Sequence, residues 1–350
     1  MNLHLFIPAL FWSDTTFPEI YQDLPTPALA TLLAKSRTAT SSATDINAWL
    51  CKAFNIEKQC DWPVAPIMQR MDSSEQYIDS SRDYWLRADP VHLRIEQNHI
   101  MLADRFMFQI TPEEALQFSE AINQILVHDN MTVLPLNPYR WYIRLSCAPE
   151  LHTQTLNAAT CNNINHLMPT GKDGITWHKI TNEIQMLLHD HPLNQERAAR
   201  DQLAINSLWF WGGGFMPQSA FSPYTAVWSN DHFAQALTLL CDINHRKLPD
   251  TAESWLQQQT NSNTENQLIV LDNLLNSEKY NDAYQWRENL KKLEQDWFFP
   301  LYAALKNNRI NSIRISSVNE QFSHDFFVKP SSLWKFWSSI KPLSFYADKP

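Results

Sequence analysis

The sequence predicts an α/β protein, a parallel sheet flanked by helices, interrupted by an inserted α+β domain. Three observations carry that expectation. After residue 214, apolar strand-like runs alternate with amphipathic helices, the order that builds a parallel sheet. Residues 83–145 instead offer short strands around one strong helix, the texture of an antiparallel sheet. Between them lies the stretch 182–214, which holds three of the chain's five glycines, Gly212, Gly213 and Gly214. These shifts set the boundaries at 1–78 and 206–350 for the α/β domain and 79–205 for the insert.

In chain order, residues 3–7 read as a buried strand closed by Pro8, and 27–35 as an amphipathic helix with proline at its start. Residues 36–45 are a Ser/Thr-rich loop and 45–54 a helix. Residues 57–82, with Pro63, Pro66 and several Ser and Asp, form an irregular linker. The insert opens with three strand-like runs, YWLRADPVHLR, HIMLAD and FMFQI. The helix at 111–127 carries its start signals in order: Thr111 as N-cap, Pro112, then Glu113 and Glu114. Residues 139–145 alternate, with Trp141, Ile143 and Leu145 on one face and Arg140, Tyr142 and Arg144 on the other.

Residues 146–174 are polar and loop-like. A helix follows over 182–191, capped by Thr181 and stopped by Pro192, with Asn194, Glu196 and Arg197 in the loop beyond. Residues 205–211 are an apolar run of strand length, and the glycines after it form a tight turn. Strands at 225–228, 267–271 and 310–315 then alternate with helices at 232–241 and 281–305, the second kinked at Pro300. Residues 261–266 are a short polar loop. In the tail, Leu333, Phe336, Trp337 and Ile340 fall at helical spacing, a stripe that docks either on the domain or on a partner.

Composition narrows the function. A net charge of −9 argues against a general nucleic-acid or anionic-membrane surface. Cys51, Cys60, Cys147, Cys161 and Cys241 are scattered, with no CxxC pair, so they suggest free thiols in a reducing cytosol rather than a zinc site. The first dozen residues lack a basic lead and a small-residue cleavage site, and read as a core strand rather than a signal peptide. No run approaches the ~18 apolar residues of a membrane span. The expectation is a cytoplasmic protein without a bound cofactor. No Ser-His-Asp order, P-loop or dinucleotide-binding glycine pattern is present.

The polar candidates cluster in the stretch 182–214. Asn182, Gln185 and His189 share one helical stripe, so three polar groups can converge. His189 and His191 fall on different helix faces, which favours structural histidines over a metal pair. Asn194 and Asn206 either position a ligand or tie the loop down through backbone hydrogen bonds. Gly212 and Gly213 allow close approach of a ligand or of another strand.

As a whole, the chain resembles the bacterial regulatory-protein family of the RpfE type. YWLRADPVHLR, RWYIRL, NEIQMLLHDHPLN and NSLWFWGGG carry the likeness, over more than a third of the chain. More distantly it resembles the archaeal-type, cofactor-independent phosphoglycerate mutases of the alkaline phosphatase superfamily. The pieces of their substrate domain recur in order. Arg87 stands in WLRADP, Asp104 and Arg105 in ADRF, and Arg140 in YRWYI. His191, Pro192, Asn194 and Arg197 stand in HPLNQER, and Asn206 leads into WGGG. The resemblance implies an alkaline-phosphatase-like fold. It also implies an anion clamp built from Arg87, Arg105, Arg140 and Arg144, against the plainer reading of surface salt bridges.

The departures bear on activity. Turn arginines of the mutases fall on Phe106 and Gln109, and the arginine of their RGAG turn falls on Trp211. Phosphoryl transfer in the superfamily uses two metal ions and a Ser or Thr nucleophile. The first metal ligand, an Asp after strand one, falls on Pro8, which has no donor atom. Thr44, in Ala43-Thr44-Asp45, is the candidate nucleophile, and Asp272 and His324 are isolated candidate ligands. This implies a mutase-like scaffold without its two-metal site, a binding or regulatory protein for a small phosphorylated or carboxylated metabolite or a protein partner. The alternative is an active mutase or related phosphotransferase.

Overall fold

The computed structural model describes residues 1–14, 16–73, 83–96, 99–259, 266–319, 322–335 and 337–347. In chain order the strands are β1 (Asn2–Phe6), β2 (Arg37–Ser42), β3 (Tyr84–Glu96), β4 (His99–Ala103), β5 (Thr132–Asn137) and β6 (Arg140–Leu145). They continue with β7 (Ser207–Gly214), β8 (Ala226–Trp228), β9 (Asn244–Arg246), β10 (Asn266–Val270), β11 (Ser312–Val318) and β12 (Phe322–Val328). Two compact units result, Met1–Asn55 with Phe221–Pro350, and Ile56–Ala220.

The first unit is a mixed sheet in the order β2-β12-β11-β1-β10-β8-β9. β1 is central and parallel to both neighbours, because its alternation gives both faces something to bury. Leu3 and Leu5 pack into the main core with Leu29, Leu32, Trp286, Leu290 and Leu301. On the other face Phe6 stacks on Trp49 of the helix Ile46–Ala53 at 3.7 Å, an aromatic pair worth about 1 kcal/mol beyond its buried area. β12 and β2 extend the sheet antiparallel. β2 lies in the segment read as a loop. Its side chains are all exposed, so no apolar alternation marked it, and β12 lies outside the strands read from sequence. The long helix is divided into Ala283–Leu293 and Phe299–Lys306 by a π turn at Glu294–Phe298, just ahead of Pro300. There the Glu294 carboxylate accepts hydrogen bonds from the Ala28 and Leu29 amides, capping the helix Pro27–Lys35.

The tail does not form the helix its spacing suggests. A 3-10 turn covers Pro330–Trp334, and Trp334, Trp337 and Ile340 stay exposed. Phe336 lies outside the described residues, as do residues 74–82 of the linker and 261–265 of the polar loop. Leu343, Tyr346 and Ala347 do enter the core. No described helix is long and apolar enough to cross a membrane.

The second unit is an antiparallel sheet built on β3, which pairs with β4, β6 and β7, and β6 pairs with β5. FMFQI is turn and loop rather than strand. Phe108 and Ile110 nonetheless enter the core with Trp141, Ile143, Trp177, Ile184 and Leu188. The segment read as a linker contains the helix Val64–Asp72, with Pro66 in its first turn, where a missing amide costs nothing. The helix placed at 182–191 starts earlier, at Gly174, so Thr181 is mid-helix and Asp173 stands at the N-cap. Pro192 does not lead into a loop. It opens a second helix, Pro192–Ala199, capped by His191.

The three glycines are not a tight turn. They end β7, and the register between β3 and β7 shifts between Trp85 and Arg87. Gly212, at φ 67°, is the residue that absorbs the bulge. A Cβ on Gly212 would lie 3.0 Å from the Val64 Cβ, and one on Gly214 2.6 Å from the Pro63 Cβ. The glycines thus let the helix Val64–Asp72 approach the strand. This is why β7 and the described part of 56–78 belong with the insert and not with the flanking α/β segments.

A buried polar chain crosses the first sheet. Ser316 donates to the Asp325 carboxylate, so its single proton is used and the His4 Nε2–H must donate to the Ser316 oxygen at 2.6 Å. His4 Nδ1 then accepts from the Tyr224 hydroxyl at 2.8 Å. Burial, helped by Arg314, lowers the His4 pKa from 6.5 to about 3, with Asp325 opposing. Burial likewise lowers His191, His245 and His324. The folded state keeps these rings neutral, while the unfolded chain takes up protons near pH 6.5. Their contribution to stability is therefore full above that pH and lost as pH falls toward the folded values. Urea midpoints should fall between pH 7 and 4, with His4 contributing up to about 1.4 kcal/mol per pH unit. His4→Gln should flatten the profile; an unchanged slope would mean that His4 is not held neutral.

Candidate functional site

One face of the second unit's sheet carries a ladder of charged and aromatic side chains. Arg87 on β3 stands opposite Tyr142 on β6 and Trp211 on β7. Its guanidinium carbon sits 5.1 Å and 5.2 Å from those ring centroids, cation–π contacts on both sides. Arg87 is almost wholly buried, and Asp89, two residues along the same strand face, holds it at 2.5 Å. Trp211 Nε1–H donates to the other Asp89 oxygen at 2.8 Å. Arg140, on β6, makes a bidentate pair with Asp72 at the end of the helix Val64–Asp72, both contacts at 2.7 Å. Tyr142 donates its hydroxyl to the same carboxylate at 2.5 Å. Burial and Asp72 keep the Tyr142 phenol protonated, above its ordinary range.

The two arginines are thus brought to one sheet face, and each carries an internal carboxylate. Asp72 and Asp89 were not among the sequence candidates. Asp89 could have been found, since Arg-x-Asp on a strand points both side chains the same way. Asp72 could not, because its helix was hidden in an apparent linker. Arg105 and Arg144 are not in the ladder. Both are exposed, Arg105 lying against the Phe106 ring at 4.9 Å.

The polar residues of 182–206 divide between surface and scaffold. Asn182 and His189 are exposed on their helix. Asn194 is buried, donating to the Leu188 and Ile205 carbonyls and accepting from the Ile205 amide. Asn206 pairs with the amide and carbonyl of Leu93 as a strand would. Arg197 is fully buried and bridges Glu114 and the carbonyls of Gln109 and Leu203. Gly212 meets Val64, and Gly213 faces Tyr84 and Leu86 across the bulge.

In the first unit, Thr44, Asp272 and His324 all fall on the rim where the parallel strands end, the rim at which α/β sheets bind ligands. They do not form a cluster. Thr44 follows β2 and Asp272 follows β10, four positions apart in the sheet order. Thr44 lies at 3.5 Å from Lys52 Nζ. His324 is buried among Phe11, Phe322 and Phe326, and among the described residues its Nε2 has no hydrogen-bond partner. The turn after β1 is apolar throughout: Ile7, Ala9, Leu10, Phe11 and Trp12 are all buried.

Against known proteins, 138 residues of the chain are 28% identical to a 2,3-bisphosphoglycerate-independent phosphoglycerate mutase of Methanosarcina mazei. Another 2,3-bisphosphoglycerate-independent phosphoglycerate mutase, of Methanosarcina barkeri, is 24% identical over 148 residues. The matches cover 38% and 41% of this chain, and 35% and 37% of those relatives. Among solved structures, the cofactor-independent phosphoglycerate mutase of Thermoplasma acidophilum superposes with a TM-score of 0.50 at 11% identity. That superposition covers 100% of this chain and 94% of the other. The PH0037 protein of Pyrococcus horikoshii gives 0.55 at 9% identity, over 94% and 87% of the two chains. This chain is a distant homologue of the archaeal-type cofactor-independent phosphoglycerate mutases. It shares their alkaline-phosphatase-like fold. No family model matches it.

A two-metal mutase centre does not fit the donors present at this rim. Pro8 offers no ligand atom, His324 is walled by phenyl rings, and Asp325 is committed to Arg314 and Ser316. Among the described residues no group of three or more His, Cys, Asp or Glu could hold a metal ion.

The ladder of the second unit can be tested directly. Arg140→Ala or Asp72→Ala should each cost about 1–3 kcal/mol in urea unfolding, since each leaves a half-buried charge without its hydrogen-bonded partner. The double variant should cost clearly less than the sum. Additive losses would show that the pair is not coupled.

Proposed function

We propose that this protein is a non-catalytic, mutase-derived binding or regulatory protein for a small phosphorylated or carboxylated metabolite. One observation carries the reading: the turn after β1 is packed with apolar side chains where metal-assisted phosphoryl transfer would need a carboxylate. Without metals, a lone threonine at position 44 lacks the charge stabilisation that such transfer depends on.

The ladder of the second unit suits the anion. Arg140 already presents its Nε and Nη2 to two carboxylate oxygens, and a ligand carboxylate or phosphate would take the place of Asp72. Arg87, stacked between two rings, would hold the guanidinium face rigid. Binding is then an exchange of one anion for another, with Asp72 setting its strength.

The test uses 3-phosphoglycerate as probe. With chelator present, it should raise the melting temperature through mass action on the native state. Asp72→Asn should tighten binding, and Arg140→Lys should weaken it. Manganese should leave conversion between 3- and 2-phosphoglycerate undetectable. Metal-dependent turnover lost on Thr44→Ala would establish an active mutase instead. A melting temperature unmoved by the probe in wild type and in Asp72→Asn would remove this anion from consideration.

A further inference from the structure

Residues 329–347 differ in charge from the chain that carries them. The whole protein has a net charge of −9, yet this segment holds Lys329, Lys335 and Lys341 and no acidic residue. Its 3-10 turn, Pro330–Trp334, packs against the helices Pro27–Lys35 and Phe299–Lys306. Each of those helices ends on a lysine and contains no acid either. The acid that precedes the segment, Asp325, is already paired with Arg314. One corner of the first unit is therefore built from elements of purely positive charge.

The segment is a pinned loop rather than a loose end. Leu333 packs against the core at its start, and Leu343, Tyr346 and Ala347 enter the core at its finish. Between these anchors Lys35 Nζ donates to the Lys335 and Ser338 carbonyls at 2.5 and 2.9 Å. Lys335 Nζ reaches back to the Lys35 carbonyl at 3.4 Å. What the pinned backbone presents outward is apolar: Trp334 is 83% exposed, Trp337 71% and Ile340 58%. Phe345 is exposed beside Lys341, whose ammonium lies 5.6 Å from its ring, and Phe299 on the neighbouring helix is exposed too. Single exposed apolar side chains are ordinary, but two indoles and an isoleucine held out along 334–340 mark an interaction surface.

We propose that this corner is a peripheral membrane-binding surface, with Trp334, Trp337 and Ile340 entering the headgroup layer of an anionic bilayer and the lysines facing its phosphates. Indole suits that layer because an apolar ring carries a polar N–H, and lysine because a long apolar stem carries its charge back to the headgroups. An apolar face joined to basic residues is what holds proteins to an anionic lipid surface without spanning it. The lysines are spread along the segment rather than grouped to meet particular carboxylates, which suits the diffuse charge of lipid better than a protein partner. The negative balance of the rest of the chain turns this corner toward the bilayer.

Flotation of the full chain with vesicles tests this. The protein should float with phosphatidylcholine vesicles containing phosphatidylglycerol, not with phosphatidylcholine alone, and added salt should release it. Brominated acyl chains in the anionic vesicles should quench its tryptophan fluorescence. A double variant, Trp334→Ala with Trp337→Ala, should keep its melting temperature, since neither indole is buried, and lose both flotation and quenching. Lys341→Glu should weaken vesicle binding about tenfold or more, the effect of reversing one charge at an anionic surface. Failure to float with anionic vesicles would overturn the proposal, as would equal flotation with both kinds or a double variant that floats like wild type. So would dimers that depend on the two tryptophans without any vesicle binding, which would assign the surface to a second copy of the chain. The surface shares no residue with the arginine ladder, so 3-phosphoglycerate binding can fail while this test succeeds, and the reverse.

Discussion

The way the chain leaves β1 constrains the whole rim of the parallel sheet. Ile7 and Ala9 continue to bond to β11, their amides reaching the Ser316 and Val318 carbonyls at 2.8 and 3.0 Å. Ala9 takes a left-handed φ of 57°, which an alanine adopts only at a cost of about 1–2 kcal/mol. The surroundings hold it there. Trp286 Nε1–H donates to the Ala9 carbonyl at 2.9 Å, and the Trp12 amide donates to the Tyr21 hydroxyl at 2.8 Å. Leu10, Phe11 and Trp12 then close the space with hydrocarbon. The turn after β1 is thus part of the core, and His324 packs against the same phenyl ring of Phe11.

In the second unit the corresponding theme is charge held internally. Arg87 is buried beside Asp89, and Arg140 is half-buried beside Asp72, so each guanidinium has its counter-charge already in place. Trp211 stands where the mutase resemblance sets an arginine. It contributes an indole N–H to Asp89 and a ring face to Arg87. The ladder is thus electrically balanced without a ligand, which makes exchange the natural mode for any anion that enters.

The parallel sheet was legible because its strands are apolar and its helices periodic: β1, β8, β10 and β11 lie close to where the residues put them. β2 was not, since a strand with every side chain exposed has no burial pattern to read. The helix Val64–Asp72 was masked by its prolines, which mark a helix start as readily as a break. The glycine triplet reads as a place of close approach to a ligand or another strand; Gly213 does meet Tyr84 and Leu86 of β3, while Gly212 and Gly214 meet Val64 and Pro63 at the start of a helix. Arg87 and Arg140 were legible from motif order. Asp89 lies two residues from Arg87 on the same strand and is open to a local reading, whereas Asp72 is on a helix 68 residues from Arg140 in sequence, a contact that no local pattern carries. Asn194, Asn206 and Arg197 show the same limit, because the residue type that could grip a ligand here holds backbone instead.

The claim at the centre is that the metal-binding rim has been filled by apolar packing. Crystals grown in manganese chloride and measured at the manganese absorption edge test it most directly. The account predicts no anomalous peak among Pro8, Thr44, Asp272 and His324. Two peaks there, about 3.5–4 Å apart as in two-metal centres, would contradict it.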